Sequence, residues 1–141
     1  MVIINYNEVE DLQLSEEDIQ QWIEMICQRN DKTFSYLEIT LCTDAFLLDM
    51  NKEYLDHDDY TDILTFDLNQ NHNSKEITGE LYISIDRVKD NASGLEISWM
   101  DELHRVIIHG VLHLCGWDDT SPILKDAMRK EEDLALALRM F

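Results

Sequence analysis

Two histidines and a carboxylate with regular spacing are the residues of this chain best placed for metal chemistry. The stretch HGVLHLCGWDD runs from His109 to Asp119. His109 and His113 are four residues apart, so in a helix both imidazoles lie on one face. Gly116 can adopt the left-handed conformation that ends a helix, which would turn Asp119 back towards the histidines. Two imidazoles and a carboxylate are acceptable zinc ligands and leave a coordination position open. We therefore predict a metal site on a helix that ends in a glycine turn.

The residue after the first histidine limits the chemistry of this site. The spacing is that of the metzincin zinc proteases, but zinc proteases with this helix carry a glutamate there as general base. Here that residue is Gly110, so a peptidase of that type is not expected. The alternative interpretation is a structural helix with two half-buried histidines. Cys115 lies about 200° around the helix from His113, so we predict that it points away from the pair. Glu102 shares the face of His109 and could accept a hydrogen bond from its imidazole.

The elements around this helix follow from apolar periodicity and end signals. Strands are predicted at VIINY, SYLEITLCT, DILTFDL and ITGELYISI, and helices at SEEDIQQWIEMICQRN, TDAFLLDMNKEYL, WMDELHRVIIHGVLHLCG and SPILKDAMRKEEDLALALRM. The third and fourth strands flank an Asn-rich loop and are predicted to form a hairpin. Because helices and strands intermix, we predict an α+β layered domain over residues 1–141, with an α/β arrangement as the alternative. It should contain one mixed sheet of about four strands and four to five helices.

Composition restricts the function classes. The chain has 141 residues and a net charge of −19, and this charge repels bare polyanions. The sequence also lacks the basic patch of a freestanding nucleic-acid binder. A role on RNA would therefore rely on a metal, a local cleft or a partner. The chain contains no long apolar run and no basic leader, so we expect no membrane association and a cytoplasmic location. Its three cysteines are far apart and are predicted to be buried free thiols.

Four sequence blocks resemble the YbeY family of bacterial endoribonucleases. HGVLHLCGWDD is similar to the family signature H-G-x-L-H-L-x-G-Y-D-H. YTDILTF and GELYIS resemble two of its strands, and AMRKEEDLALAL resembles its closing helix. The blocks occur in family order and cover nearly the whole chain.

The resemblance implies a single α+β domain that binds one metal ion, usually zinc, and cleaves single-stranded RNA. It places the ligands at His109, His113 and Asp119, and it implies a role in ribosomal RNA maturation at the 16S 3′ end and in ribosome quality control. The implied partners are ribosomal RNA and the ribosome or its proteins, and no DNA. Two departures stand out: Asp119 replaces the family's histidine, and Leu55 replaces an arginine suited to a phosphate.

The catalytic residues are left open by the sequence. Asp62 and Glu80 lie on the strands that match the family and, with Glu102, are candidates for the cleft beside the metal. Each could equally be a solvated carboxylate or a cap, because the chain has 30 acidic residues. Two other functions remain as alternatives. One is a ribosome-associated binding protein with a structural metal, and the other is a metallohydrolase of a substrate other than RNA.

Overall fold

The structure, a computed structural model, describes residues 1–55, 61–69 and 74–141, without the side chain of Leu55. The element order is β1 (Val2–Tyr6), α1 (Glu16–Arg29), β2 (Thr33–Cys42), α2 (Asp44–Leu55), β3 (Ile63–Asp67), β4 (Glu76–Ser84), α3 (Ile85–Leu95), α4 (Trp99–Leu114) and α5 (Pro122–Ala137). The arginine-to-leucine departure at Leu55 therefore concerns a side chain outside the described part. No helix among the described residues is long and apolar enough to cross a membrane.

The described strands form one mixed sheet in the order β1-β2-β4-β3. β1 and β4 both run parallel to the central strand β2, and β3 runs antiparallel to β4. Ile63 lies opposite Ile83 in the β3–β4 pair, which confirms the predicted hairpin. The sheet of four strands with five helices in the described residues confirms the predicted α+β class.

The two faces of the sheet are covered differently. On one face Leu37, Ile39 and Leu81 are fully buried, and they belong to the main core together with residues of α1, α4 and α5. On the other face a smaller cluster forms around Leu47 of α2 and Leu64 of β3. Because side chains alternate along a strand, this division decides which residues can reach a site on α4.

Helix ends follow the expected capping chemistry. The Ser15 hydroxyl accepts a hydrogen bond from the Asp18 amide at 3.1 Å, and the Ser121 hydroxyl accepts one from the Leu124 amide at 3.1 Å. Ser84 caps α3 in the same way, but no helix is predicted from the sequence over residues 85–95. That segment was missed because its buried positions are few and it contains Asn, Ser and Gly, which favour loops.

The free edge of β1 is occupied by side chains of α1. The Val2 amide donates to Oε1 of Gln20 at 3.0 Å, and the Ile4 amide donates to Oε2 of Glu16 at 2.7 Å. Both amides point away from β2 and would otherwise be unpaired donors on an edge strand.

Candidate active site

Helix α4 packs unusually close to the sheet at Gly110. A Cβ atom at this position would lie 2.7 Å from Cδ2 of Leu81 and 2.8 Å from Cδ1 of Ile63. A side chain here would force the ends of the Leu81 and Ile63 side chains to shift, and glycine avoids this crowding. The position that holds the general base in zinc proteases therefore faces the packed sheet here, and a carboxylate at residue 110 would enter the core rather than the site.

The end of α4 turns the chain back as the sequence predicted. Gly116 has φ 104°, its amide donates to the carbonyl of His113 at 3.0 Å, and the Trp117 amide donates to the carbonyl of Leu112 at 3.0 Å. This pair of bonds is the Schellman arrangement that closes a helix through a left-handed glycine. The Trp117 indole nitrogen then donates to Oδ1 of Asn30 at 2.8 Å, which fixes the returning chain to the end of α1.

The turn brings the three predicted ligands together. Nε2 of His109 and Nε2 of His113 are 3.0 Å apart, and Oδ2 of Asp119 lies 3.4 Å from the first and 3.5 Å from the second. These three side chains form a group that could hold a metal ion. Cys115, by contrast, caps α4 and is buried outside this group, as predicted.

The hydrogen bonds of the two rings aim both Nε2 atoms at the same point. Nδ1 of His109 is 2.6 Å from Oε2 of Glu132, and Nδ1 of His113 is 3.0 Å from the carbonyl of Trp117. Both partners are acceptors, which assigns the proton to Nδ1 in the neutral form of each ring. Two Nε2 lone pairs and a carboxylate oxygen then face one another without a donor between them.

Such a cluster of acceptors fits a cation. Ligand atoms about 2.0–2.1 Å from a tetrahedral zinc ion lie about 3.3 Å apart, close to the separations seen among His109, His113 and Asp119. The donor set of two imidazoles and one carboxylate also suits zinc and other first-row divalent ions.

Glu132 of α5 was not predicted from the sequence, which assigned its role to Glu102. Its side chain is 6% exposed, and Oε1 accepts a hydrogen bond from Nη1 of Arg105 at 3.2 Å while Oε2 contacts His109. Oε1 of Glu102 instead lies 3.8 Å from Nε of Arg105 and has no hydrogen-bond partner among the described residues. The acceptor for His109 therefore comes from α5, where residue 132 lies across from α4, rather than from the preceding turns of α4.

The surroundings of His109 stabilise its protonated form relative to that of an ordinary imidazole. Burial disfavours the imidazolium, but the hydrogen bond and charge of Glu132, together with the charges of Asp119 and Asp62, outweigh it and raise the pKa of His109. The site is thus strongly attractive to positive charge.

A cleft of about 620 Å³ opens beside His109 and Asp119. Helix α4 lines its floor, and residues of α3 and α5 line its sides. Two of the predicted cleft carboxylates, Asp62 and Glu102, line it. Burial raises the pKa of Asp62 above its ordinary value, and the charge of His109 and a hydrogen bond from Nδ2 of Asn91 at 3.2 Å offset this only in part.

Glu80, the third predicted cleft residue, lies on the wrong face of the sheet. It alternates with the buried Leu81, which faces α4, so its own side chain points to the opposite face. There it accepts a hydrogen bond from the Tyr82 hydroxyl at 2.8 Å and lies beside Glu38 of β2. The prediction failed because the sequence did not reveal which face of β4 is covered by α4.

The mixed sheet and the helix-borne histidine pair with its carboxylate define the class, an α+β protein with a potential metal site at the end of a central helix. The family model described as Endoribonuclease YbeY matches residues 4–138. A relative from Cytophaga hutchinsonii, named Endoribonuclease YbeY, is 46% identical over 124 residues, which span 88% of this chain and 85% of the relative. One of the same name from Porphyromonas gingivalis is 43% identical over 120 residues, covering 85% and 78% of the two chains.

The chain belongs to the endoribonuclease YbeY family, and both relatives are named as endoribonucleases. The solution structure of TM1509 from Thermotoga maritima has the same fold, with a TM-score of 0.67 and 25% sequence identity. That match covers 96% of this chain and 87% of the other. Family membership confirms the resemblance of the four sequence blocks to the YbeY family.

Proposed function

We propose that this chain is a metal-dependent endoribonuclease of single-stranded RNA, with one ion, zinc, held by His109, His113 and Asp119. The observation that carries the proposal is the convergence of both Nε2 atoms and Oδ2 of Asp119 while both Nδ1 atoms are occupied by acceptors. Family membership supports RNA as the substrate. We further propose that residues 1–141 act as one domain in the cytoplasm.

Cleavage of a phosphodiester needs a nucleophile, neutralisation of charge at phosphorus and a proton for the leaving oxygen. When bound, the ion would supply Lewis acidity and favour ionisation of a nucleophilic water. Asp62 and Glu102 are the candidate proton donors, because both line the cleft with His109 and burial raises the pKa of each. Asn91 holds the Asp62 carboxyl group in position. Glu132 fixes the orientation of His109 through its Nδ1 contact.

The finer role that we propose is maturation of ribosomal RNA, including the 16S 3′ end, and ribosome quality control. The net charge of −19 supports a setting in which basic ribosomal proteins help to recruit the chain to its RNA. The same charge favours a second candidate function, a ribosome-associated binding protein in which the metal is structural. A metallohydrolase acting on a substrate other than RNA is a further alternative.

Metal content and RNA cleavage, measured together, test the proposal. We expect about one zinc per wild-type chain by mass spectrometry, and loss of both zinc and cleavage in folded His113→Ala and Asp119→Ala variants. Asp126→Ala removes an exposed acid of α5 whose ion pair with Lys130 contributes little, and serves as the control. Zinc without cleavage in the wild type would favour the binding protein. Full zinc retention in Asp119→Ala would refute the ligand set.

A further inference from the structure

The two walls of the cleft differ in charge. Wall α3 contributes Asp90, Asn91 and Leu95, which are acidic, polar and apolar. Wall α5 contributes Lys125 and Arg129, which are both exposed and both line the cleft. These two cations are four residues apart and therefore lie on the same face of α5, about 6 Å apart along its axis. The cleft is thus electrically asymmetric.

Arg105, the third cation that lines the cleft, already pairs with acidic residues of the protein. Arg105 donates to Glu132 at 3.2 Å and to Asp133 at 2.7 Å, so its charge is neutralised within the fold. Lys125 and Arg129 make no ion pair within 4.0 Å to any residue of the described ranges. Arg129 interacts electrostatically with the Glu102 carboxylate, but neither cation is neutralised by a direct contact, so both can bind a ligand in the cleft.

The acidic residues of the cleft make the charges of Lys125 and Arg129 important for the binding of a polyanion. Five carboxylates line the cleft: Asp62, Asp90, Glu102, Asp119 and Glu132. Those that are ionised and unpaired would repel a phosphate chain from the floor and from wall α3, except at the ion itself. Glu132, the one acid of the five on α5, is paired with Arg105. An RNA backbone that enters the cleft therefore has one favourable path outside the metal site, which runs along α5.

We propose that Lys125 and Arg129 form a phosphate-binding subsite for single-stranded RNA. The backbone lies along α5, and the bases point towards Leu95 and Asn91 on α3. This inference rests on the proposed function, because it assigns a substrate subsite to the same cleft. Leu95 is 48% exposed and offers an apolar contact for a base, while the amide of Asn91 is held by Asp62.

The salt dependence of RNA binding and the kinetics of cleavage test the subsite on the metal-loaded protein. Lys125→Gln, Arg129→Gln and Lys130→Gln each remove one positive charge from α5. Lys130 is the control, because it is exposed and pairs with Asp126 outside the cleft. Binding of a short single-stranded 2′-O-methyl RNA is measured by fluorescence anisotropy over a range of salt concentrations. Cleavage of the matching RNA gives kcat and KM.

We expect each cleft variant to lower the slope of log affinity against log salt by about 0.7, the value for one phosphate contact on a single strand. KM should rise about 3- to 10-fold with kcat nearly unchanged, since one exposed charge-assisted contact is lost. Lys130→Gln should change neither quantity. Cleft variants that behave like Lys130→Gln, or that lose kcat without a change in slope, would overturn the subsite.

The outcome also separates the subsite from the proposed activity. Reduced salt slopes in the two cleft variants, with no cleavage by any form of the protein, would support the subsite and refute the nuclease. Normal cleavage with salt slopes unchanged in the two cleft variants would support the nuclease and refute the subsite. Absence of salt-dependent RNA binding by the wild type would overturn the subsite directly.

Discussion

Glu132→Gln tests whether the proposed metal site depends on a residue outside its ligands. The change keeps the size of the side chain and removes its negative charge. In the wild type, Oε2 of Glu132 lies 2.6 Å from Nδ1 of His109, and the side chain is only 6% exposed. The carboxylate makes His109 a more basic ligand and holds its Nε2 towards His113. We therefore expect weaker zinc binding and a folded protein.

The size of the effect follows from what the variant retains. Loss of an outer partner of a metal-bound histidine costs about 10- to 100-fold in metal affinity, or about 1.4–2.7 kcal/mol. The amide oxygen of a glutamine can still accept from Nδ1, but a neutral hydrogen bond is about half as strong as a charged one. We expect about a 10-fold loss in Glu132→Gln and about a 100-fold loss in Glu132→Ala, which leaves Nδ1 without this acceptor.

Competition with a chromophoric zinc chelator measures these affinities. Asp133→Asn is the matched control, because Asp133 binds the same guanidinium of Arg105 at 2.7 Å but makes no contact with His109 among the described interactions. Its zinc affinity should stay within about twofold of the wild type. Thermal unfolding of the metal-free proteins verifies that each variant folds. Equal affinities for Glu132→Gln, Glu132→Ala and the wild type would refute the positioning role.

Three further perturbations test the packing and the ligand set. Gly110→Ala should raise the free energy of unfolding by about 1 kcal/mol through helix propensity and lower it by about 1–3 kcal/mol through crowding of Leu81. Urea denaturation should therefore show a net loss of stability of about 1 kcal/mol. A more stable variant would contradict the close approach. Asp119→His should keep the ion and prefer zinc to manganese more strongly than the wild type does, because imidazole is the softer ligand. Competition between the two metals measures this, and a preference unchanged from the wild type would argue against Asp119 as a ligand. Burial and the charge of Arg139 lower the pKa of His104 to about 4, below its ordinary value of about 6.5. The unfolded chain is therefore protonated first, so stability should fall from about pH 6.5 towards pH 4, and His104→Gln should flatten this decline in urea titrations. An identical pH dependence in both proteins would show that His104 does not contribute.

The sequence was most informative where chemistry is local. The spacing of His109 and His113 and the glycine at position 116 predicted a helix, its end and the return of Asp119, because each depends on backbone geometry within a few residues. The β3–β4 hairpin was predictable for the same reason. Whether a metal occupies the site remains a prediction.

The sequence was least informative where two distant elements meet. Glu132 lies 23 residues from His109, and nothing within α4 indicates that α5 would supply the acceptor. One signal was present: Glu132 falls at helical spacing with the buried Met128 and Ala135, so it is a charged residue on the apolar face of α5. Glu80 was misplaced because alternation along a strand gives two faces but does not tell which of them α4 covers.

The occupied edge of β1 limits how this protein can meet others. A peptide that bound by adding a strand there would have to displace the side chains of Gln20 and Glu16 from the Val2 and Ile4 amides. Strand addition draws its affinity from backbone hydrogen bonds, and at this edge two of the amides that would supply them are already taken. Backbone pairing at this edge is therefore disfavoured relative to recognition through side chains.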